Sequence, residues 1–507
     1  MSEWKNLQEI LNNSCDLNKN RQALIDLENS FTYQQIKDHA ENLSNTLKKH
    51  NIEADEPIGI IVSNQGWDII NYLAIWNLKG VVVPIHENQS SRSIKSIIQQ
   101  TDMRIVIKSK LGLWPEGILN EYKKYSNTLC ILEEVYPPER ELLKGAALVV
   151  FTSGSTGIAK GVVLSHLAFA SKLKTINHAI PFDKTTTTLL VLQLTFSFGI
   201  WVSLLTLARG GLLIMGKKFS PDTINNLILK YSINTVAAVP TMLRAYLNFL
   251  DSYDGEKQLK KLREQNLPQL LITGGECLSS TVGKSLRSLL THCGIADVYG
   301  LTETATSDFI LLPNEYDNFS GSIGKPSCPT INYQIINDSG SEISDYGVGE
   351  LIINSPFIMN GYLNQPELTK NSFLEDYFCT GDLARRVKGS DKIEIVGRKK
   401  ELIYKGGNKI SPLEIENIFN EHPGIVCSLV TSVPDEIMGE KIHIFIIAKN
   451  KAELIVEDLK IWAKEKIDKY KYPDQYHFIS SLPLGSTEKV SRSILKEFLI
   501  ESNNDKG

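Results

Sequence analysis

The sequence predicts an α/β protein: a large N-terminal domain of βα-type sheets with a β-rich subdomain, then a small C-terminal α/β domain. Three observations predict it. Strand-like apolar runs alternate with helical patterns as far as the helix from Ser279; the rhythm gives way to short strands from about Ile323 to Val396; and a new set of elements follows a charged, glycine-rich stretch, Gly397 to Gly407. At 507 residues and 42% hydrophobic, the chain is past the size at which a single core stops growing.

In chain order, "PIGIIVSN" reads as a strand, "GWDIINYLAIWNLKG" as a helix, "VVVPI" as a strand, "SSRSIKSIIQQT" as a helix and "MRIVIKS" as a strand. That is the rhythm of a parallel sheet with helices on its faces. It resumes with "GLLIMG", a helix opened by Ser220 and Pro221, "TVAAVP", and "QLLITGG" before a helix from Ser279. Serine supplies an N-cap there and proline a rigid first turn. The short strands "INYQIINDSG", "GELIINSP" and "KIEIVG" make the β-rich subdomain. The division between domains is expected at 1–399 and 400–507, inside "GRKKELIYKGG", where charge and glycine replace apolar residues. Beyond it, Ser411-Pro412-Leu413-Glu414 combines a capping box with proline at the first helical position and starts a helix through Asn420. Strands near Val426–Val433 and Ile442–Ala448 follow, then a helix around Val456–Lys469.

Charge and cysteine usage narrow the function. A net charge of −4 gives no basic footprint for nucleic acid. Seven cysteines lie far apart with no C-x-x-C, so they read as reduced thiols rather than as a disulfide framework or zinc site. The opening "MSEWKNLQEI" lacks a signal-peptide pattern, and a cytoplasmic protein is expected. Thr185 to Ala208 is free of charge over about the length of a membrane span. Gln193, Ser197 and Gly199 interrupt it, so a buried strand, a bend and a buried helix are expected instead.

The loop "FTSGSTGIAKG" after the apolar run Ala146–Phe151 has two readings. Its glycines, hydroxyls and Lys160 suit a cradle for a polyphosphate. A glycine–serine turn joining two strands fits equally. It is not a Walker loop, because four residues do not separate Gly154 from a Gly-Lys pair.

The segments downstream resolve the choice. "YGLTETATS", "YFCTGDLARR", "GRKKELIYKGGNKISPLEIE" and "LPLGSTEKVSRSIL" follow the loop in the order found in the adenylate-forming enzyme superfamily, which the chain resembles over nearly its whole length. That group comprises acyl- and aryl-CoA synthetases, adenylation domains of nonribosomal peptide synthetases, and beetle luciferase. The resemblance implies that Thr152, Ser153, Gly154, Ser155, Thr156, Gly157 and Lys160 hold the β- and γ-phosphates of ATP. It implies that Tyr299, with Gly300 beside it, stacks on adenine, that Thr302 contacts the α-phosphate, and that Glu303 holds Mg²⁺. Gly274, Gly275 and Glu276, in "ITGGECLS", would lie nearest the nucleotide; Asp382 and Arg398 would bind the ribose hydroxyls and reach the phosphates.

Lys489 matches the family's catalytic lysine, which stabilises charge between the attacking carboxylate and the α-phosphate. One residue departs from the pattern: Glu488 stands where the family usually has glycine, and at positive φ it would strain the loop by roughly 1–2 kcal/mol. By position Lys400 is the hinge about which a mobile C-terminal domain swings, and Gly406 and Gly407 line the channel for a thiol.

The implied activity is ATP-dependent activation of a carboxylic acid as acyl-AMP, with release of pyrophosphate and transfer of the acyl group to coenzyme A. The alternatives are a stand-alone enzyme loading the phosphopantetheine of an acyl or peptidyl carrier protein in trans, and a nucleotide-binding regulator without turnover. "LQLTFSFGIW" aligns with the acyl-pocket segment, with Phe196, Gly199, Ile200, Ala238 and Leu301 as expected walls. Gly199 is read as replacing the aspartate that pairs with an α-ammonium, so a fatty or aryl acid is expected over an α-amino acid. Lys464, Lys466, Lys469 and Lys471 are read as a solvated helix face and its exit, with docking of an acidic carrier as the other reading.

Overall fold

The computed structural model describes residues 4–109, 112–115, 126, 128–132, 140–152, 159–217, 219–449 and 454–480, together with 492, 494–497 and 499. The expected βα alternation becomes two large sheets. In one, Pro57–Val62 lies parallel between Val81–His86 and Ile105–Lys108, and Ala146–Thr152 joins Val81–His86 before turning back antiparallel as Lys160–Ser165. In the other, Leu212–Met215, Thr187–Leu190, Thr235–Ala238, Leu270–Gly274 and Gly294–Tyr299 run parallel in that order. Val, Ile, Leu and Ala dominate these strands, because helices cover the sheets and little of each strand meets water. Parallel strands also gather their carboxyl ends at one edge, where Ala238, Gly274 and Tyr299 fall.

The charge-free segment is the strand Thr187–Leu190 followed by the helix Ser197–Ala208, which packs into the largest core through Ile200, Trp201, Leu204 and Leu205. Among the described residues, no helix is long and apolar enough to cross a membrane. The β-rich stretch is an antiparallel sheet of Asn332–Ile336, Gly349–Asn354, Phe373–Leu374, Tyr377–Arg386 and Ile393–Arg398. Residues from Ile403 onward form a further sheet around the long hairpin Ile425–Asp435 and Gly439–Ala448, with a separate core that includes Ile403, Ile415, Phe419 and Ile444.

Three local expectations are corrected. Ser411 precedes the helix Pro412–Asn420, but its hydroxyl donates to the Val396 carbonyl at 2.5 Å instead of capping, and Glu414 accepts Lys471 instead of closing a capping box. Ser220 makes no side-chain cap either; Pro221 alone marks that helix start. The helix from Val456 ends at Lys464, with a separate short turn at Lys469–Lys471. Lys464 is thus the helix's last residue and the other three lysines lie at its exit, where Lys466 pairs with Glu421 and Lys471 with Glu414 and Asp468.

Candidate active site

Tyr299 ends the strand Gly294–Tyr299, and its hydroxyl donates to Asp382 Oδ2 at 2.7 Å. Arg398 Nε donates to the other carboxylate oxygen, also at 2.7 Å. Asp382 and Arg398 are register partners on adjacent antiparallel strands, so the pair is set by sheet geometry before any ligand arrives. Asp382 is 3% exposed, whereas the arginine is exposed. Burial, and then the facing Asp382 carboxylate, push the Tyr299 phenol well above its ordinary value, so it stays protonated and donates. The parallel sheet and the β-rich sheet thus meet at one carboxylate.

After Tyr299 the chain makes a tight turn. A side chain at Gly300 would overlap the Ser307 amide, so glycine lets the segment fold back on itself. Thr302–Thr304 forms a single 3₁₀ turn. The Glu303 carbonyl accepts from Met359 N–H at 2.7 Å and its Oε1 accepts the Tyr362 hydroxyl at 2.8 Å. The Thr302 hydroxyl lies 3.4 Å from that of Ser197, at the start of the helix Ser197–Ala208.

Lys160 reaches the same place from the other large sheet. Its ammonium sits 5.1 Å from the centre of the Tyr362 ring, and it pairs in register with Thr152 across the hairpin. Burial and the repulsion of Lys400 push the Lys160 ammonium below its ordinary value, against the attraction of Glu303. Thr152, Lys160, Thr302, Glu303 and Lys400, far apart in sequence, are therefore neighbours of one site. Ser153, Gly154, Ser155, Thr156, Gly157 and Lys489 lie outside the described residues.

A Cβ at Gly274 would overlap the Val298 carbonyl, and Gly275 has φ +81°; both glycines answer to backbone geometry. Glu276 Oε2 accepts from the Thr241 hydroxyl at 2.7 Å, while its other oxygen is buried without a partner among the described residues. Lys400 lies in the short turn Lys399–Glu401, between the last strand of the β-rich sheet and the first of the C-terminal sheet. Gly406 and Gly407, at φ +56° and +80°, form the two-residue turn between Ile403–Lys405 and Asn408–Ile410. A hairpin turn with both central residues left-handed accounts for the glycine pair without a ligand.

The residues expected as acyl walls lie on several elements. Ile200 packs in the largest core, whereas Ala238 belongs to a different core that includes Ile228 and Leu243. A side chain at Gly199 would run into the Gln193 carbonyl, so this position has no room for a carboxylate. Ser197, two residues earlier, is the one that faces Thr302. Phe196 precedes it as the first non-helical residue and Leu301 sits beside Thr302. Ser197, Tyr362, Lys172, Asp308 and Arg492 were not singled out in the sequence; each is defined by a partner far along the chain. Arg492, for example, clamps Glu416 and reaches Glu401, next to Lys400.

A carboxylate held between a tyrosine and an arginine at the carboxyl ends of parallel strands, with a lysine and a glutamate close by, is a site of the kind α/β enzymes use for nucleotides. The chain belongs to the AMP-binding enzymes: the model of that family matches residues 11–363, and the model of the AMP-binding enzyme C-terminal domain matches 414–489. It is 26% identical over 496 residues to an oxalate–CoA ligase of Arabidopsis thaliana, covering 93% of this chain and 94% of the relative. It is 29% identical over 480 residues to a malonate–CoA ligase of the same plant, covering 87% and 78%. Crystalline ATP-bound MatB from Rhodopseudomonas palustris has the same fold, with a TM-score of 0.81 at 22% identity over 97% of this chain and 99% of that one.

Proposed function

We propose that this chain is an AMP-forming acid–thiol ligase that activates a carboxylic acid with ATP and passes the acyl group to coenzyme A. The observation that carries the reading is the convergence of Tyr299, Asp382 and Arg398 with Lys160, Thr302 and Glu303 on one edge of the sheets, in a chain of the AMP-binding family.

In the first step a carboxylate oxygen of the acid attacks the α-phosphorus of ATP, and the bond to the bridging oxygen breaks as pyrophosphate leaves. Asp382 accepts ribose hydroxyls with the lone pairs left over from Tyr299 and Arg398. Lys160 and the loop 152–157 hold the leaving pyrophosphate, and Thr302 donates to the α-phosphate. Lys489 supplies positive charge where the transition state gathers negative charge. Mg²⁺, when bound, neutralises phosphate charge. Glu303, whose Oε1 accepts the Tyr362 hydroxyl, would offer the carboxylate oxygen that such a hard cation prefers. In the second step the thiol sulfur attacks the acyl carbon, its proton is lost, and AMP departs with the bonding electron pair. The pantetheine arm passes Gly406–Gly407 after residues 400–507 turn about Lys400 relative to 1–399.

A fatty or aryl acid fits better than an α-amino acid, because Ser197 offers only a hydroxyl and Gly199 has no space for an acid, so a buried ammonium would lack its counter-charge. The reading places the protein in the cytoplasm, in keeping with seven cysteines that form no disulfide. Pyrophosphate release with ATP and Mg²⁺, measured across fatty, aryl, amino and short dicarboxylic acids, tests the function. Release is expected with one class and is expected to fall about 10²–10³-fold in Lys489→Ala. Nucleotide binding without release for any acid would favour a regulator, and ADP as the product would overturn the reading.

A further inference from the structure

Behind the turn that carries Thr302 and Glu303 lies an ion pair sealed from solvent. Lys172, on the helix His166–Ala179, donates from Nζ to Asp308 Oδ1 at 2.7 Å, and both side chains are 0% exposed. The same ammonium lies 4.7 Å from the centre of the Phe357 ring. The second carboxylate oxygen accepts the Thr304 hydroxyl. Between Thr304 and Asp308, three consecutive non-glycine residues, Ala305, Thr306 and Ser307, take positive φ of 54°, 71° and 38°, and all are buried. L-residues adopt that conformation at a cost, so the surroundings must hold it in place.

A buried pair of this kind is usually a weaker stabiliser than well-packed apolar side chains of the same volume, so stability alone is a poor account of it. Burial pulls the Asp308 carboxyl upward in pKa against the attraction of Lys172, so removing the lysine alone would leave a buried acid without its counter-charge. We infer that the Lys172–Asp308 pair is a positioning device for adenylation: the carboxylate, held by Lys172, clamps Thr304 and the left-handed 305–307 turn, and so fixes where Thr302 and Glu303 stand. It acts through the turn and touches no substrate. The inference rests on the function proposed above.

The test uses the full chain with Thr304→Val, Lys172→Met, and the double variant Lys172→Met/Asp308→Leu. Three readouts are compared: melting temperature, amide hydrogen exchange of segment 300–309, and kcat and KM for pyrophosphate release. Thr304→Val removes the clamp without burying an unpaired charge, and the double variant removes both charges together. In these two, exchange in 300–309 is expected to be about tenfold faster at near-wild-type melting temperature. Their kcat is expected to fall about tenfold or more with the KM for the acid unchanged. Wild-type exchange in that segment, or faster exchange with an unchanged kcat, would overturn the inference. Should the wild type release no pyrophosphate, the functional reading falls, and hydrogen exchange alone decides whether the pair clamps the turn.

Discussion

Asp382 accepts from Tyr299 and Arg398 at once, and replacing it with asparagine removes the charge while keeping the shape. Because Arg398 is exposed, it can hydrate when its partner is neutral, so Asp382→Asn is expected to fold with a small change in melting temperature. ATP affinity is expected to drop about 10- to 100-fold, read by titration calorimetry. Glu488→Gly tests the departure from the family pattern. Were position 488 to require positive φ, relief of roughly 1–2 kcal/mol would make pyrophosphate release about tenfold faster in the variant, and an unchanged rate would remove that requirement. Tyr299, Asp382 and Arg398 were legible because each lies in a contiguous motif. Ser197 and Tyr362 were not: their partners Thr302 and Glu303 lie 105 and 59 residues away, and nothing in the local pattern of either segment points across that distance.

At the scale of elements, the strands and helices of the two parallel sheets were legible because a strand covered on both faces is a run of apolar residues bounded by turns. Helix starts were less so. Ser279 caps its helix by accepting from Val282 N–H, yet Ser411 turns its hydroxyl to Val396, since the stretch leading from the β-rich sheet packs within reach. Sequence shows that a hydroxyl is present and not which carbonyl it will find. The Gly406–Gly407 turn carries its own prediction. A Cβ at Gly407 would meet open space, so only the backbone resists: Gly407→Ala is expected to destabilise the chain by about 1–2 kcal/mol in urea unfolding. If this hairpin also borders the thiol path, acyl transfer to coenzyme A in that variant slows more than pyrophosphate release does.

Across the whole molecule, two histidines withdrawn from solvent contribute to the response to acid. His166, in the N-terminal part, and His443, in the C-terminal sheet, are both pushed from 6.5 to about 4 by burial, His443 further by the facing His477. Below pH 6.5 the unfolded chain takes up protons that the folded chain refuses, so stability is full above that value and is lost as pH falls toward 4. Each site contributes roughly 3 kcal/mol at most, and the slope should vanish once the folded form is protonated too. Urea unfolding at pH 7.5 and 4.5 is expected to show the loss, and His443→Leu to show less of it. An equal pH dependence in wild type and variant would remove His443 from this account.

The sequence by itself determined the fold class, the order of the βα units and the family, and it named Tyr299, Asp382 and Arg398 as site candidates, because apolar periodicity and contiguous motifs are local properties of a chain. Only the tertiary structure decided which of those residues meet. It joined Lys160 to Glu303 and Tyr362, tied Arg398 to Asp382 across a sheet, denied Gly199 the space for a side chain, and enclosed the Lys172–Asp308 pair behind the active turn. The reason is physical: a charge or a hydroxyl is indifferent to sequence distance, and its partner is whichever complementary group the packed cores bring within about 3 Å.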